Sequence, residues 1–202
     1  MENIALKIAT ELGIKESQVD RTIKLIDEGN TIPFIARYRK EVTGNLDDET
    51  LRKLNDKLNY LRNLNTRKEE VIRLIDEQGK LTDKLKNEII SAETLTEVED
   101  LYRPYKQKKR TRATIAKEKG LEPFANIMWE QKEKSGTIEE IAKNYINKEK
   151  GVENIEDAIS GAQDIIAENI SDNASYRKNI RRISYTTGKI VTTAVEAEEK
   201  ST

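Results

Sequence analysis

The chain has 202 residues, with 36 Lys and Arg against 37 Asp and Glu, a formal net charge of −1, and neither Cys nor His. Without imidazole or thiol it has no Ser–His or Cys–His dyad, no thiolate nucleophile and none of the usual Cys/His zinc sites. Charged residues at 36%, aromatics at 5%, 9 Gly and 3 Pro describe a helix-rich, charge-laced protein of one or two domains.

No apolar run approaches the ~18 residues of a membrane span. The opening MENIALKIATEL carries acids early and lacks an apolar core, so no secretory leader is expected. The absence of cysteine agrees with a reducing cytoplasm.

In chain order, Ile4, Ile8 and Leu12 recur every four residues and stop at Gly13, which predicts a short amphipathic helix closed by a left-handed residue. Val19, Ile23 and Ile26 predict a second helix, ending at Gly29. Ala9, Gly13 and Val19 together fit a helix-turn-helix. The small residue allows close approach, the glycine permits the turn, and the apolar residue packs the second helix back on the first. Any tight helical hairpin asks for similar residues, so this pattern alone does not mark a DNA reader. Pro33 opens a third predicted helix running to about Val42 and stopped by Gly44, with Ile35, Tyr38 and Val42 on its buried side. Arg37, Arg39 and Lys40 form a basic cluster there beside Glu41. It reads either as a phosphate contact or as helix surface with local ion pairs.

Leu51, Leu54, Leu58 and Leu61 follow a 3-4-3 spacing on a long helix beginning near Asp47. Continuing the heptad meets Asn65 and Lys68, so the seam is wet in the middle, while Leu64 and Val71 broaden the face. That suits a straight helix packed on a domain, not a dimeric zipper. A capping box from Thr66 and Glu69 would split it, but a single helix to Gln78, stopped by Gly79, is the preferred reading. Thr82 caps a short helix with Leu85, Ile89 and Ile90, and Thr94 with Glu97 caps another whose Leu95, Val98, Leu101 and Tyr102 face inward.

A basic connector follows Pro104. Between Tyr102 and Lys119 there are eight cations, Arg103, Lys106, Lys108, Lys109, Arg110, Arg112, Lys117 and Lys119, against the single acid Glu118. This is a local net charge of +7, and the remainder of the chain sums to −8. Such a focus serves a polyanion, nucleic acid above all. A solvated loop, or a plug for an acidic groove of the same protein, stays open beside it.

Beyond the connector, Ile115–Lys119 reads as helix up to Gly120, and Pro123 opens another with Phe124, Ile127 and Met128 inside and Trp129 partly exposed. Thr137 and Glu140 form a capping box. In the next helix Ala158, Ile159, Ala162, Ile165 and Ile166 recur at helical spacing, with Gly161 placed for close helix contact. Asp172 is read as the cap of a last helix bearing Tyr176, Ile180 and Ile183, whose outward side would show Arg177, Lys178, Arg181 and Arg182. Lys189–Val195 is β-branched and predicts a short orphan strand, and the Glu-rich end from Glu196 is expected to be disordered. The expected organisation is all-α. It comprises an N-terminal helical region with the long helix (1–101), the basic connector with a second helical region (102–188), and the start of a following domain or a disordered tail (189–202).

Two segments carry a family resemblance. TIPFIARYRKEVTGNLDDETL (Thr31–Leu51) and EDLYRPYKQKKRTRATIAKEKGLEP (Glu99–Pro123) resemble the amino-terminal region of bacterial Tex proteins, the transcription accessory proteins, a family related to a eukaryotic elongation factor and histone chaperone. With an opening also like the family's, the similarity covers essentially the whole chain, whereas family members are much longer. Gln107 stands where the family usually carries Pro, which implies a more flexible connector without loss of charge. The resemblance implies a helical scaffold with a helix-turn-helix-like portion, leading into an RNase H-like domain, tandem helix-hairpin-helix motifs and a carboxy-terminal OB-fold. The family's main nucleic-acid affinity is attributed to that OB-fold, so cations in this region would be auxiliary contacts or intramolecular docking groups.

The expected function is therefore a non-enzymatic scaffold making sequence-nonspecific contacts to RNA or DNA. The candidate residues are Arg103, Tyr105, Lys106, Lys108, Lys109, Arg110 and Arg112, with Arg37, Arg39 and Lys40. Lys and Arg would neutralise phosphates, and Tyr105 would stack on a base, as would Tyr102 unless it is buried, the preferred reading for that residue. The alternative is a protein–protein or interdomain docking module. Expected partners are nucleic acid, the transcription machinery and other domains of the full-length protein, with no membrane, metal or cofactor, in the cytoplasm. No Gly-rich phosphate loop, metal-ligand cluster or nucleophile–base pair stands out.

Overall fold

The 3.6-residue stripes become helices, twelve of them among the residues that the computed structural model describes, 3–131 and 136–193. The fold is all-α. Among the described residues the β structure amounts to an isolated antiparallel bridge between Asn147 and Val152. Helix contacts divide the chain into two compact units, Met1–Val98 and Glu99–Thr202.

In the first unit, α1 (Ile4–Leu12) and α2 (Glu16–Asp27) pack against each other across a short turn. Ala9 and Val19 are buried at its contact, and Gly13 turns the chain with φ 66°. The long helix α5 (Asp48–Asp76) is continuous, so the possible break at Thr66 is not used. The Asp47 carboxylate caps it by accepting from the Thr50 N–H at 2.7 Å. Leu51, Leu54, Leu58, Leu61, Leu64, Val71 and Ile75 are all buried. The polar gap in that seam is filled by Lys68, whose stem is buried and whose ammonium donates to the Ile90 carbonyl at 2.7 Å, near the end of α6 (Asp83–Ser91).

The third predicted helix is corrected. Arg39, at φ −130°, separates α3 (Ile32–Tyr38) from α4 (Lys40–Thr43). Ile35 is fully buried as expected, but Tyr38, at the end of α3, is 59% exposed, and beyond the break in helical phase Val42 is 40% exposed and Thr43 is buried in its stead. Gly44 (φ 70°) closes α4 against α2, where Gln18 Nε2 donates to the Thr43 and Gly44 carbonyls at 3.2 and 3.0 Å.

α7 (Leu95–Tyr102) contains the division between the units. In the second unit α8 (Arg112–Glu118), α9 (Glu122–Glu130) and α10 (Ile138–Ala142) surround α11 (Ile155–Asp172). Phe124, Leu121, Val152, Ile165 and a set of alanines form the core, with Tyr145 stacked on Phe124 at 5.0 Å. Gly161 does allow close contact, since a Cβ there would overlap Leu121 Cδ1 and sit 3.4 Å from Ala116 Cβ. The Thr137/Glu140 capping box is formed.

Three expectations in this unit are overturned. Asp172 is the last residue of α11 and not a cap; Asn173 caps α12 (Ala174–Thr187), accepting from the Tyr176 N–H at 3.1 Å. The face of α12 is also inverted. Arg177 and Arg181 turn to the buried carboxylate of Asp100, while Tyr176, Ile180 and Ile183 are exposed. An acid taken out of water needs cations beside it, and that requirement overrides the apolar period. Finally, residues 189–193 form no strand, and Ile190 and Val191 are exposed. The rest of the predicted strand and the Glu-rich end lie outside the described residues.

Candidate nucleic-acid interface

The connector is more ordered than a loop. After α7 the chain makes a single 3₁₀ turn, Arg103–Tyr105, with Pro104 supplying the fixed φ. Residues 106–111 are irregular, and the Thr111 hydroxyl then caps α8, accepting from the Thr114 N–H at 3.1 Å. The helix thus begins at Arg112, ahead of the Ile115 start read from the sequence, because the cap signal lies inside the basic run.

Opposite the connector, α11 presents Asp164, Glu168 and Asp172 at four-residue intervals, hence on one face. Arg103 Nε meets Asp172 Oδ1 at 3.0 Å, and Lys108 pairs with Asp172 and with Glu168 Oε1 at 3.3 Å. Thr111 donates to Glu168 Oε1 at 3.0 Å. Arg112 reaches Asp164 only at 4.0 Å, and Lys117 stands 4.0 Å from Glu168 and 3.9 Å from Glu122. The remaining partners lie off α11. Lys106 pairs with Glu99 beneath the Tyr102 ring, Arg110 Nη2 lies 2.7 Å from Glu118 Oε2, and Lys119 donates to the Gly151 carbonyl at 2.6 Å. Lys109 is exposed and has no carboxylate partner among the described residues. Tyr105 is half-buried.

Exposure sorts these cations. Lys108 is 28% exposed against an Asp172 that is 13% exposed, so this pair is largely withdrawn from water. Arg110 and Arg112 are 68% and 86% exposed. Exposed pairs of that kind contribute only ~0.2–1 kcal/mol, which a phosphate can displace. By partner, the connector has an inner set, Lys108 and the 43% exposed Arg103, paired with the acids of α11, and an outer set, Lys109, Arg110 and Arg112, open to an anion. The acids of α11 were not among the residues singled out from the sequence, although their spacing of four within a predicted helix was legible.

The first-unit candidates have different surroundings. Arg37, Arg39 and Lys40 are exposed and have no carboxylate partner among the described residues, so the expected local ion pairs are not formed. The Arg39 guanidinium lies over the Phe34 ring at 5.1 Å and that of Arg37 over Tyr38 at 5.9 Å.

Metal chemistry finds no cluster of ligands among the described residues. No group of three or more His, Cys, Asp or Glu side chains there could hold a metal ion. A hollow beside α9, α10 and α11 is lined by Phe124, Met128, Trp129, Ile141 and Ile166, with no ionisable group among its described lining residues. No helix among the described residues is long and apolar enough to cross a membrane.

A family model described as Tex-like protein N-terminal domain matches residues 2–76, and one described as Tex central region-like matches residues 133–202. The chain is 48% identical to the YdcI protein of Bacillus subtilis, with 100% of this chain aligned to 29% of that protein. It is 42% identical to the transcriptional accessory protein Tex of Neisseria gonorrhoeae, over 98% of this chain and 26% of that protein. With S1 RNA-binding domain-containing protein 1 of Pongo abelii the identity is 35%, over 80% of this chain and 16% of that protein. The chain thus spans less than a third of the length of these relatives.

Proposed function

This chain belongs to the Tex family of transcription accessory proteins, and from that premise we propose that it is a non-enzymatic scaffold that adds sequence-indifferent nucleic-acid contacts to a longer cytoplasmic protein. The observation that carries the reading is the outer set of the connector. Lys109, Arg110 and Arg112 are exposed cations in a stretch of net charge +7, held between α7 and α8 by a cap and a proline turn. Fixed, solvated guanidinium and ammonium groups suit phosphate oxygens and carry no base information. A relative named S1 RNA-binding domain-containing protein 1 supports nucleic acid, RNA in particular, as the polyanion.

A docking module is the second reading, and the inner set favours it. Arg103 and Lys108 already neutralise Asp172 and Glu168 of the same unit. Other domains of the full-length protein or the transcription machinery would then meet the outer cations.

Salt-titrated binding separates the two. About three phosphate contacts correspond to a log–log slope near −3 on duplex DNA, at a non-specific Kd of roughly 10⁻⁴–10⁻⁶ M. Replacing Lys109, Arg110 and Arg112 with Ala is expected to flatten the slope markedly with helicity unchanged. Equal affinity and equal slope in parent and variant would overturn the phosphate reading in favour of docking.

A further inference from the structure

Where Arg39 breaks the helix between α3 and α4, the Tyr38 ring lies at the surface together with three cations that have no carboxylate partner among the described residues. We infer that this elbow is a stacking platform for single-stranded nucleic acid, with Tyr38 meeting a base and Arg37, Arg39 and Lys40 meeting the flanking phosphates. The inference rests on the nucleic-acid reading above and adds to it the form of the ligand and a second point of contact.

Four observations carry it. Tyr38 is 59% exposed, far more than the helical period allows for a core residue, yet its ring is held by Phe34 at 5.2 Å between centroids and 47° between planes. A ring already oriented loses little freedom when a base settles on it. The cations are held without being neutralised. Arg39 lies over Phe34 and donates to the Tyr38 carbonyl at 3.1 Å, and Arg37 lies over the Tyr38 ring at 5.9 Å, the position a stacking base would take from it. Contacts to rings and carbonyls position a guanidinium while leaving its charge for a phosphate.

The mounting is firm as well. Ile35 is fully buried beneath the elbow, and Gln18 ties the far end of α4 through two carbonyls. Finally, the chemistry selects a single strand. The faces of paired bases are covered by their neighbours, whereas a single strand can splay a base onto an aromatic side chain with cations tracking its backbone. Here the connector contrasts, because its cations are mostly matched by carboxylates and its tyrosines are half-buried. A peptide partner would also accept an aromatic ring. The three positive charges, with Glu41 the single acid among residues 31–46, favour a polyanion.

The test compares a short oligothymidine, the same phosphate backbone built from abasic units, and a duplex of equal length, each by fluorescence anisotropy at fixed low salt. Tyr38→Ala is expected to weaken oligothymidine binding about tenfold, the lower part of the range for one base–aromatic stack. Tyr38→Phe should restore it to within about twofold, because stacking needs the ring and not the hydroxyl. Both variants should bind the abasic backbone as the parent does, with circular dichroism unchanged. The inference is overturned if Tyr38→Ala binds oligothymidine like the parent, which would make the elbow a protein contact. It is equally overturned if the parent binds the abasic strand as tightly as oligothymidine. The connector variant keeps the two proposals apart. Binding lost with the connector but untouched by Tyr38→Ala sinks this inference alone, whereas no binding of any strand by the parent sinks the nucleic-acid reading and this inference with it.

Discussion

Replacing Asp100 with Asn leaves two guanidinium groups facing a neutral amide. Asp100 is 4% exposed and receives Arg177 Nε at 2.6 Å on one oxygen and Arg181 on the other. Asn preserves shape and one acceptor, so packing changes little and the loss is electrostatic. Removing one partner of a fully buried pair costs ~3–5 kcal/mol. The two arginine side chains keep 34% and 40% exposure, however, and water can take over part of their solvation. A smaller loss of about 2 kcal/mol follows. For a unit of roughly a hundred residues that is a fall in Tm of about 10 °C. Circular dichroism and calorimetry should be recorded together, because two units need not unfold in one step. A double-mutant cycle with Arg181→Gln should show coupling of about 1 kcal/mol between the two sites. A midpoint within about 2 °C of the parent, or strictly additive effects, would refute the claim that this triad holds α7 to α12.

The same carboxylate sets a pH dependence. Burial pushes it up, but the guanidiniums of Arg181 and Arg177 together hold it below its ordinary value of 3.8. Its contribution is therefore present above the unfolded pKa and lost as pH falls through the folded one, so acid scans should show a drop in Tm below about pH 4 that Asp100→Asn lacks. Gly161→Ala would gain helix propensity of about 1 kcal/mol but drive a methyl into Leu121, a net loss of up to ~2 kcal/mol in urea unfolding. An unchanged midpoint would mean that Leu121 swings aside. Lys68→Met keeps the buried stem and removes the donor to the Ile90 carbonyl, for a loss of ~1–2 kcal/mol, and a more stable variant would contradict that role. Neutralising the acids that hold the inner set, with Glu168→Gln and Asp172→Asn, should release Arg103 and Lys108 and steepen the salt slope on duplex DNA by about −0.9 for each cation recruited. An unaltered slope would show that those cations cannot reach phosphate.

What could be read from the residues alone is whatever is decided within a turn or two of helix. The leucine seam of α5, the Gly13 and Gly44 stops, the Thr137/Glu140 box and the close approach at Gly161 are local in this sense. Period, capping and the room for a Cβ depend on residues a few positions apart, and each is found where it was expected. The concentration of positive charge after Tyr102 is likewise a property of composition. Its fate is not. Arg103 meets an acid 69 positions away, Lys108 one 64 away, and Arg181 turns to an acid 81 positions back. Which cations are spent within the fold therefore depends on helix packing, which no local pattern encodes. Tyr38 illustrates the same limit at short range. Its period places it in the core, yet it ends α3 on the surface, 59% exposed, one residue before the break at Arg39. Desolvation and backbone closure act on the assembled helices, so only the tertiary structure could decide which charges and rings stay open to a ligand.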